Sequence, residues 1–131
     1  MNHWTFFDYV SRDGKNYIEL WLNKELSIKE RTEFDELIET LRKMHQWKRH
    51  PLFKALSGKN FKGLGELRFD GDRKKLRVLG ADRGGGGNNF VLLLGCTHKQ
   101  NVYDPPSALE TAAKRKTLLE SGIGTIHERK T

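Results

Sequence analysis

The lysine and arginine residues of this 131-residue chain are the side chains whose spacing most clearly indicates a chemical role. Residues 48–83, here called the basic stretch, contain eleven Lys or Arg and four Asp or Glu, while the rest of the chain carries thirteen of each sign. The net charge of +7 therefore comes entirely from these 36 residues. Such a cluster favours a phosphate-bearing partner, above all a nucleic acid. The alternative is a set of solvated strand and loop faces that bind nothing.

Other classes of site find little support in the sequence. The single cysteine, Cys96, cannot form an internal disulfide or a zinc cluster, and the histidines show no ligand spacing. The glycines at 84–87 lack the Gly-Lys-Ser/Thr ending of a nucleotide-binding loop. No apolar run reaches the roughly 18 residues of a membrane helix, and residues 1–10 do not resemble a secretory signal. The sequence predicts a cytoplasmic protein without a metal, a small-molecule cofactor or a membrane partner.

The first half of the chain predicts one strand and two helices. Residues 4–10 are aromatic and β-branched, as in a strand, and end at a turn. Asn16 and Glu19 have the spacing of a helix start, although residues 17–22 could instead form a second strand. Ser27 and Glu30 form a capping box before an apolar stripe that extends to about residue 45. A connector at 46–62 includes a single predicted helical turn at 52–56.

The second half predicts a hairpin, a central strand and a last helix. Residues 63–79 alternate apolar and polar side chains around an Asp70-Gly71-Asp72 turn, and alternation sends Glu66, Arg68 and Arg77 to the polar face. Residues 90–94 are continuously apolar, which is typical of a central strand. Ser107 and Glu110 predict a second capping box, with a helix to about residue 121.

These elements predict an α+β fold with the order β-α-α-β-β-β-α. A single antiparallel sheet carries the helices on one face and leaves the other face open. Residues 1–122 form one domain, and residues 123–131 are a polar, frayed tail.

Several short motifs occur together along nearly the whole chain. In order, they are Pro51-x-x-Lys54-x-Leu56, Gly63-Leu64-x-Glu66-Leu67-Arg68, Leu76-Arg77-Val78-Leu79, His98-Lys99 after the apolar strand, and Pro106 before a helix with Ala112, Ala113 and Arg115. This combination resembles the RelE/HigB superfamily of toxins from type II toxin-antitoxin systems, especially its phage-derived branch.

The resemblance implies a function as well as a RelE-like fold. Members are endoribonucleases that inhibit translation by cutting messenger RNA on the ribosome, without metal, through attack of the 2′-hydroxyl. A cognate helix-turn-helix antitoxin, which binds DNA, neutralises them. Two alternatives stay open, namely a non-catalytic module that binds nucleic acid or protein, and a relative that inhibits DNA gyrase on the same scaffold.

The resemblance also implies which residues form the site. Arg68 and Arg77 match arginines near the phosphate, and Lys99 matches a position where relatives keep a cation. Tyr103 lies near a tyrosine that acts on a proton or stacks on a base. His98 replaces one lysine of a pair, and an imidazole titrates near neutral pH. Further predicted RNA-binding residues are Lys54, Lys59, Lys62, Arg73, Lys74, Lys75 and Arg83.

Each of these assignments has a purely structural alternative. The arginines could be ordinary solvated strand residues, His98 could simply end a strand, and Tyr103 could anchor the last helix. Glu66 is expected to pair with a neighbouring arginine rather than to act as a base.

Overall fold

The computed structural model describes residues 3–56, 58, 61–83 and 88–130 of the chain. These residues form an α+β fold with a single mixed sheet of seven strands and three α-helices. The elements are β1 (Thr5–Val10), α1 (Tyr17–Glu25), α2 (Ile28–Arg42), a 3₁₀ turn (Trp47–Arg49), β2 (Phe53–Ala55), β3 (Leu64–Gly71), β4 (Lys74–Asp82), β5 (Asn89–Lys99), β6 (Val102–Asp104), α3 (Ala108–Glu120) and β7 (Thr125–Glu128). None of the helices in these ranges is long and apolar enough to cross a membrane.

The strand order is β2-β3-β4-β5-β1-β7, with β6 paired to β5. Strand β1 runs parallel to β5, while every other strand pair among the described residues is antiparallel. The prediction of a purely antiparallel sheet is therefore wrong. Parallel neighbours are joined by long crossovers rather than hairpins, so local turn signals do not show which strand lies beside β1.

The predicted starts of the first two helices are confirmed. The Asn16 side chain accepts a hydrogen bond from the Glu19 amide at 3.0 Å, which caps α1 and rules out the alternative strand. Ser27 and Glu30 form the reciprocal capping box of α2, at 3.1 and 2.9 Å. The third predicted cap is wrong, because Ser107 adopts ψ near 12° instead of the extended backbone that a cap needs and makes no capping bond.

Helices cover both faces of the sheet, whereas the sequence predicted one. Phe90 and Leu92 of β5 pack with buried residues of α1 and α2 in one core. Val91 and Leu93, which point the opposite way, pack with Ala108 and Ala112 of α3 in a second core. The face covered by α3, here called the α3 face, is thus only partly open. The continuous apolar run of β5 reflects burial on both sides.

Residues 125–128 form strand β7, contrary to the prediction of a frayed tail. Strand β7 pairs with β1, and Arg129 next to it is buried. Arg129 donates hydrogen bonds at 2.7 Å to both carboxylate oxygens of Asp8 and another to Glu19. The countercharge for Arg129 lies 121 residues earlier, so local composition carries no sign of this contact.

Two connections also differ from the sequence predictions. Residues 53–55 form β2, which pairs with β3, instead of a helical turn. The hairpin turn lies at Asp72 and Arg73, because β3 continues through Gly71 and β4 starts at Lys74. Arg73 takes a positive φ of 61°, as the second residue of a tight hairpin connection can require. The glycines predicted to form a loop at 84–87 lie outside the described residues.

Candidate functional site

Glu66 is the centre of a polar cluster on the α3 face of the sheet. Its Oε1 lies 2.7 Å from Nε of Arg68 and 3.4 Å from Nε of Arg77. Its Oε2 accepts a hydrogen bond from the hydroxyl of Tyr103. The residue is only 3% exposed, so two cations and one hydroxyl surround a buried carboxylate. The prediction that Glu66 pairs with a neighbouring arginine is confirmed.

Strand register brings these side chains together. Arg68 of β3 lies opposite Arg77 of β4, and Arg77 lies opposite Cys96 of β5. One pleat further along, His98 of β5 lies opposite Tyr103 of β6. Side chains at opposed positions share a face of the sheet, so three successive strand pairings assemble the cluster.

The two arginines differ in exposure, which corrects the expectation that both face solvent. The Arg68 side chain is 35% exposed, whereas that of Arg77 is 9% exposed. Strand β4 lies between β3 and β5 in the sheet, while Arg68 lies near the short edge strand β2. Arg77 also donates from Nη1 to the Leu76 carbonyl at 2.8 Å. Arg77 is consequently part of the packed framework, and Arg68 is the accessible cation.

The groups beside the arginines are held in defined protonation states. Burial lowers the pKa of His98, and Arg77, Arg68 and Lys75 lower it further, against the opposing effect of Glu66. The imidazole is therefore neutral at pH 7. The cations that lower its pKa belong to the neighbouring strands β3 and β4.

Tyr103 and Cys96 both stay protonated. Burial and the hydrogen bond to Glu66 raise the pKa of Tyr103 far above its ordinary value, so the phenol remains a proton donor. Its ring lies 4.8 Å from the His98 ring, centroid to centroid. Burial and the Glu66 charge raise the pKa of Cys96 to about 12, which makes this cysteine a packed, unreactive thiol.

An open groove of about 740 Å³ extends from the cluster along the β3–β4 hairpin. We call it the basic groove. Seven of the predicted site residues line it: Arg68, Arg73, Lys74, Lys75, Arg77, His98 and Lys99. Lys74 is held by an ion pair with Glu30 at 3.5 Å and a hydrogen bond to the Glu25 carbonyl at 3.0 Å. The exposed cations Arg73, Lys75 and Lys99 remain for a polyanion.

The other described cations that were predicted to bind RNA do not line the basic groove. Lys54 lies opposite Glu66 on the edge strand β2. Lys62 precedes β3 and Arg83 follows β4, so both are at the far end of the hairpin from Arg73, roughly 25 Å away for eight strand residues. Lys59 lies outside the described residues. The basic stretch is therefore divided between two ends of one hairpin.

Sequence reasoning missed the organising role of Glu66. The signal for it was the i, i+2 spacing of Glu66 and Arg68, which places both side chains on one face of β3. Among the described residues, no three His, Cys, Asp or Glu side chains are grouped as metal ligands. The cluster offers guanidinium groups for phosphate, a neutral imidazole that can accept a proton and a phenol that can donate one.

Comparison of the chain with protein-family models, curated proteins and solved structures gives no match.

Charge reversal in the basic groove tests its role directly. We expect Lys75→Glu with Lys99→Glu to weaken RNA binding by at least about tenfold. The salt dependence of binding should also become less steep, because a protein with fewer phosphate contacts releases fewer counterions from the RNA. The matched control, Lys29→Glu with Lys114→Glu, changes the net charge equally on exposed helix positions away from the groove. Fluorescence anisotropy between 50 and 200 mM salt measures both, and equal losses would show that the groove is not the binding surface.

Proposed function

We propose that this protein is the toxin component of a type II toxin-antitoxin system and cleaves messenger RNA on the ribosome. The observation that carries the proposal is the binding of Arg68 and Tyr103 to the buried Glu66 carboxylate, with His98 beside the Tyr103 ring, at one end of the basic groove. A pure binding module needs only dispersed phosphate contacts. Cleavage additionally needs a proton acceptor, a proton donor and a cation at one phosphate, which is the combination present here.

In the proposed reaction the arginines hold the scissile phosphate. Glu66 engages Nε of Arg68, which leaves both terminal nitrogens of that guanidinium for two phosphate oxygens. Arg77 donates a hydrogen bond from Nη1 to the Leu76 carbonyl, so its main contribution to phosphate binding is its positive charge. The carboxylate thereby orients the cations before RNA binds, and the charge that develops on the pentacoordinate phosphate meets a preorganised environment.

Two proton transfers complete the proposed reaction. The neutral His98 accepts the proton of the 2′-hydroxyl as its oxygen attacks the phosphorus. The bond from phosphorus to the 5′-oxygen breaks, and Tyr103 gives its proton to that leaving oxygen. The products are a 2′,3′-cyclic phosphate and a 5′-hydroxyl, and solvent returns a proton to Tyr103 and removes one from His98.

Induced expression in a bacterial host tests the proposal. We expect growth arrest, loss of translation before any loss of DNA synthesis, and messenger RNA fragments that end in 2′,3′-cyclic phosphate. Falling supercoiling with intact messenger RNA would instead favour gyrase inhibition. RNA binding with no cleavage, on or off the ribosome, would favour the non-catalytic module.

The same proposal includes a RelE-like fold, a cytoplasmic location and a cognate antitoxin. A short reading frame for a helix-turn-helix protein beside this gene would support it. Co-expression of that protein is expected to restore growth, and failure to restore growth would remove the antitoxin from the proposal.

The pH profile of cleavage tests the role of His98. Because its pKa lies below the ordinary value of about 6.5, the imidazole becomes protonated only below that pH, and the rate should fall as the pH is lowered through the depressed pKa. We expect His98→Gln to lower the single-turnover rate by roughly 10² and to remove this acid limb, with RNA binding unchanged. His127→Gln, at an exposed position of β7, is the control. An unchanged profile in His98→Gln would show that His98 is only a surface residue.

A further inference from the structure

A second cavity adjoins the basic groove across Arg68. It has a volume of about 720 Å³ and lies between α2, residues 50–52 and the edge of β3. We call it the side cleft. Strand β2 pairs with β3 only as far as Leu67, and the Leu52 carbonyl accepts a hydrogen bond from the Arg68 amide at 2.7 Å, so the cleft opens along the edge of β3 beyond Arg68. Arg68, Lys75 and Arg77 line both cavities, which makes the side cleft a continuation of the basic groove.

The two walls of the side cleft differ in charge, because the α2 wall is acidic whereas the β3–β4 wall carries three cations, Arg68, Lys75 and Arg77, and one acid, Asp70. Glu33 and Glu36 of α2 are three residues apart, on one flank of the helix, and face the cations of β3 and β4 across the cleft. Within the described part of the chain, neither carboxylate forms a hydrogen bond or an ion pair. Two carboxylates without partners therefore lie opposite a wall that carries cations.

Two further features of the cleft point to a bound ligand. The Arg68 side chain is 35% exposed, and Glu66 engages only its Nε, so its outer nitrogens lie at the wall that the cleft shares with the basic groove. Apolar side chains of Pro51, Leu52 and Phe69 form a surface on which an aromatic base could lie. An accessible cation, an apolar surface and two carboxylates without partners together match the parts of a nucleotide.

His50 adds a fixed polar group to the cleft. Its Nδ1 accepts a hydrogen bond from the Leu52 amide at 3.1 Å, which leaves Nε2 as the nitrogen that carries a proton. The imidazole is thus oriented by its own loop and offers one N–H donor to an occupant of the cleft. A carbonyl oxygen or ring nitrogen of a base is a suitable acceptor.

We propose that the side cleft holds the nucleotide next to the scissile phosphate and selects a base with an exocyclic amino group over uracil. The inference depends on the proposed function for the position of that phosphate at Arg68. Glu33 and Glu36 accept hydrogen bonds from an amino group, as acidic side chains do from the cytosine N4 amino group. Uracil presents carbonyl oxygens at the equivalent edge, which carboxylates repel.

Binding of non-cleavable RNA tests the inference without any need for catalysis. The probes are fluorescein-labelled hexamers of 2′-fluoro oligocytidine and oligouridine, which have equal charge and similar stacking. We expect the wild-type protein to bind oligocytidine about tenfold more tightly, within the range seen for one good side-chain contact to a base. Glu33→Gln with Glu36→Gln should bring the ratio close to one, because a neutral amide no longer repels the uracil carbonyls.

A matched control removes the same two charges elsewhere. Asp35 lies on the other flank of α2, and Glu110 lies in the first turn of α3. Asp35→Asn with Glu110→Gln should therefore keep the wild-type ratio, and a thermal melt of each variant confirms folding. Glu36→Gln alone provides a milder variant, at an exposed position, if the double variant is unstable.

The outcomes separate this inference from the proposed function. A wild-type ratio near one, or a ratio that survives loss of both carboxylates, would overturn the base-selective cleft even if the protein cleaves RNA. A base preference that depends on Glu33 and Glu36 in a protein that cleaves no RNA would support the cleft and reject the nuclease.

Discussion

Asp8→Ala is expected to lower the free energy of unfolding by about 3–5 kcal/mol, the usual cost of breaking a buried ion pair. Asp8 and Arg129 are 3% and 6% exposed, and two hydrogen bonds of 2.7 Å join them. Removal of the carboxylate leaves the Arg129 guanidinium buried with only the partly exposed Glu19 as a countercharge. Because this pair joins β1 to the end of β7, urea denaturation followed by circular dichroism should show the loss as a lower midpoint.

Two variants serve as controls for this stability prediction. Asp35→Ala, on α2 outside the core, should change stability by less than about 0.5 kcal/mol. Asp8→Ala with Arg129→Met should recover much of the loss, because apolar replacement of both partners removes the uncompensated charge. A loss below about 1 kcal/mol in Asp8→Ala would contradict a buried pair that secures the chain end.

Arg68→Ala and Arg77→Ala are both expected to lower RNA cleavage by 10² or more, about the cost of one lost donor to a charged transition state. Their effects on stability should differ. Arg68→Ala should stay within about 1 kcal/mol of the wild type, because the side chain is one-third exposed. Arg77→Ala should cost more than about 2 kcal/mol, because it removes a buried partner of Glu66 and leaves a cavity in the sheet.

Single-turnover cleavage and urea denaturation of the same preparations measure both effects. Arg68→Lys is the informative control, since it keeps the charge but loses the planar fork that binds two oxygens, and only partial activity should return. Full cleavage by Arg68→Ala would exclude Arg68 as the phosphate ligand. Equal destabilisation by both alanine variants would show that Arg68 is a structural residue as well.

The buried Glu66 explains why the two arginines have separate roles. A buried carboxylate lowers the stability of the fold unless it is paired. Glu66 is paired with Nε of both Arg68 and Arg77. Arg77 provides the buried half of that compensation. Arg68, beside the three-residue edge strand β2, keeps its outer nitrogens for a ligand. The shortness of β2 is thus what leaves one of two neighbouring arginines available.

The sequence by itself determined the features that depend on neighbouring residues. They depend on contacts or on a periodicity within a few positions. They include the caps at Asn16 and Ser27, the apolar stripe of α2, the β3–β4 hairpin and the central strand β5. The pairing of Glu66 with a nearby arginine belongs to the same class, because spacing of two along a strand puts both side chains on one face. Each of these patterns depends only on residues that are close together in the sequence.

Only the tertiary structure decided what covers each face and which distant charges meet. Alternation shows that Arg77 and Leu67 point to opposite faces, but the burial of Arg77 depends on the strands β3 and β5 that pair with β4 on its two sides. The parallel pairing of β1 with β5 likewise depends on distant parts of the chain. So does the contact between Asp8 and Arg129, which are 121 positions apart. The basic stretch is continuous in sequence, yet a strand advances by about 3.3 Å per residue, so it places Arg73 and Arg83 at opposite ends of the hairpin.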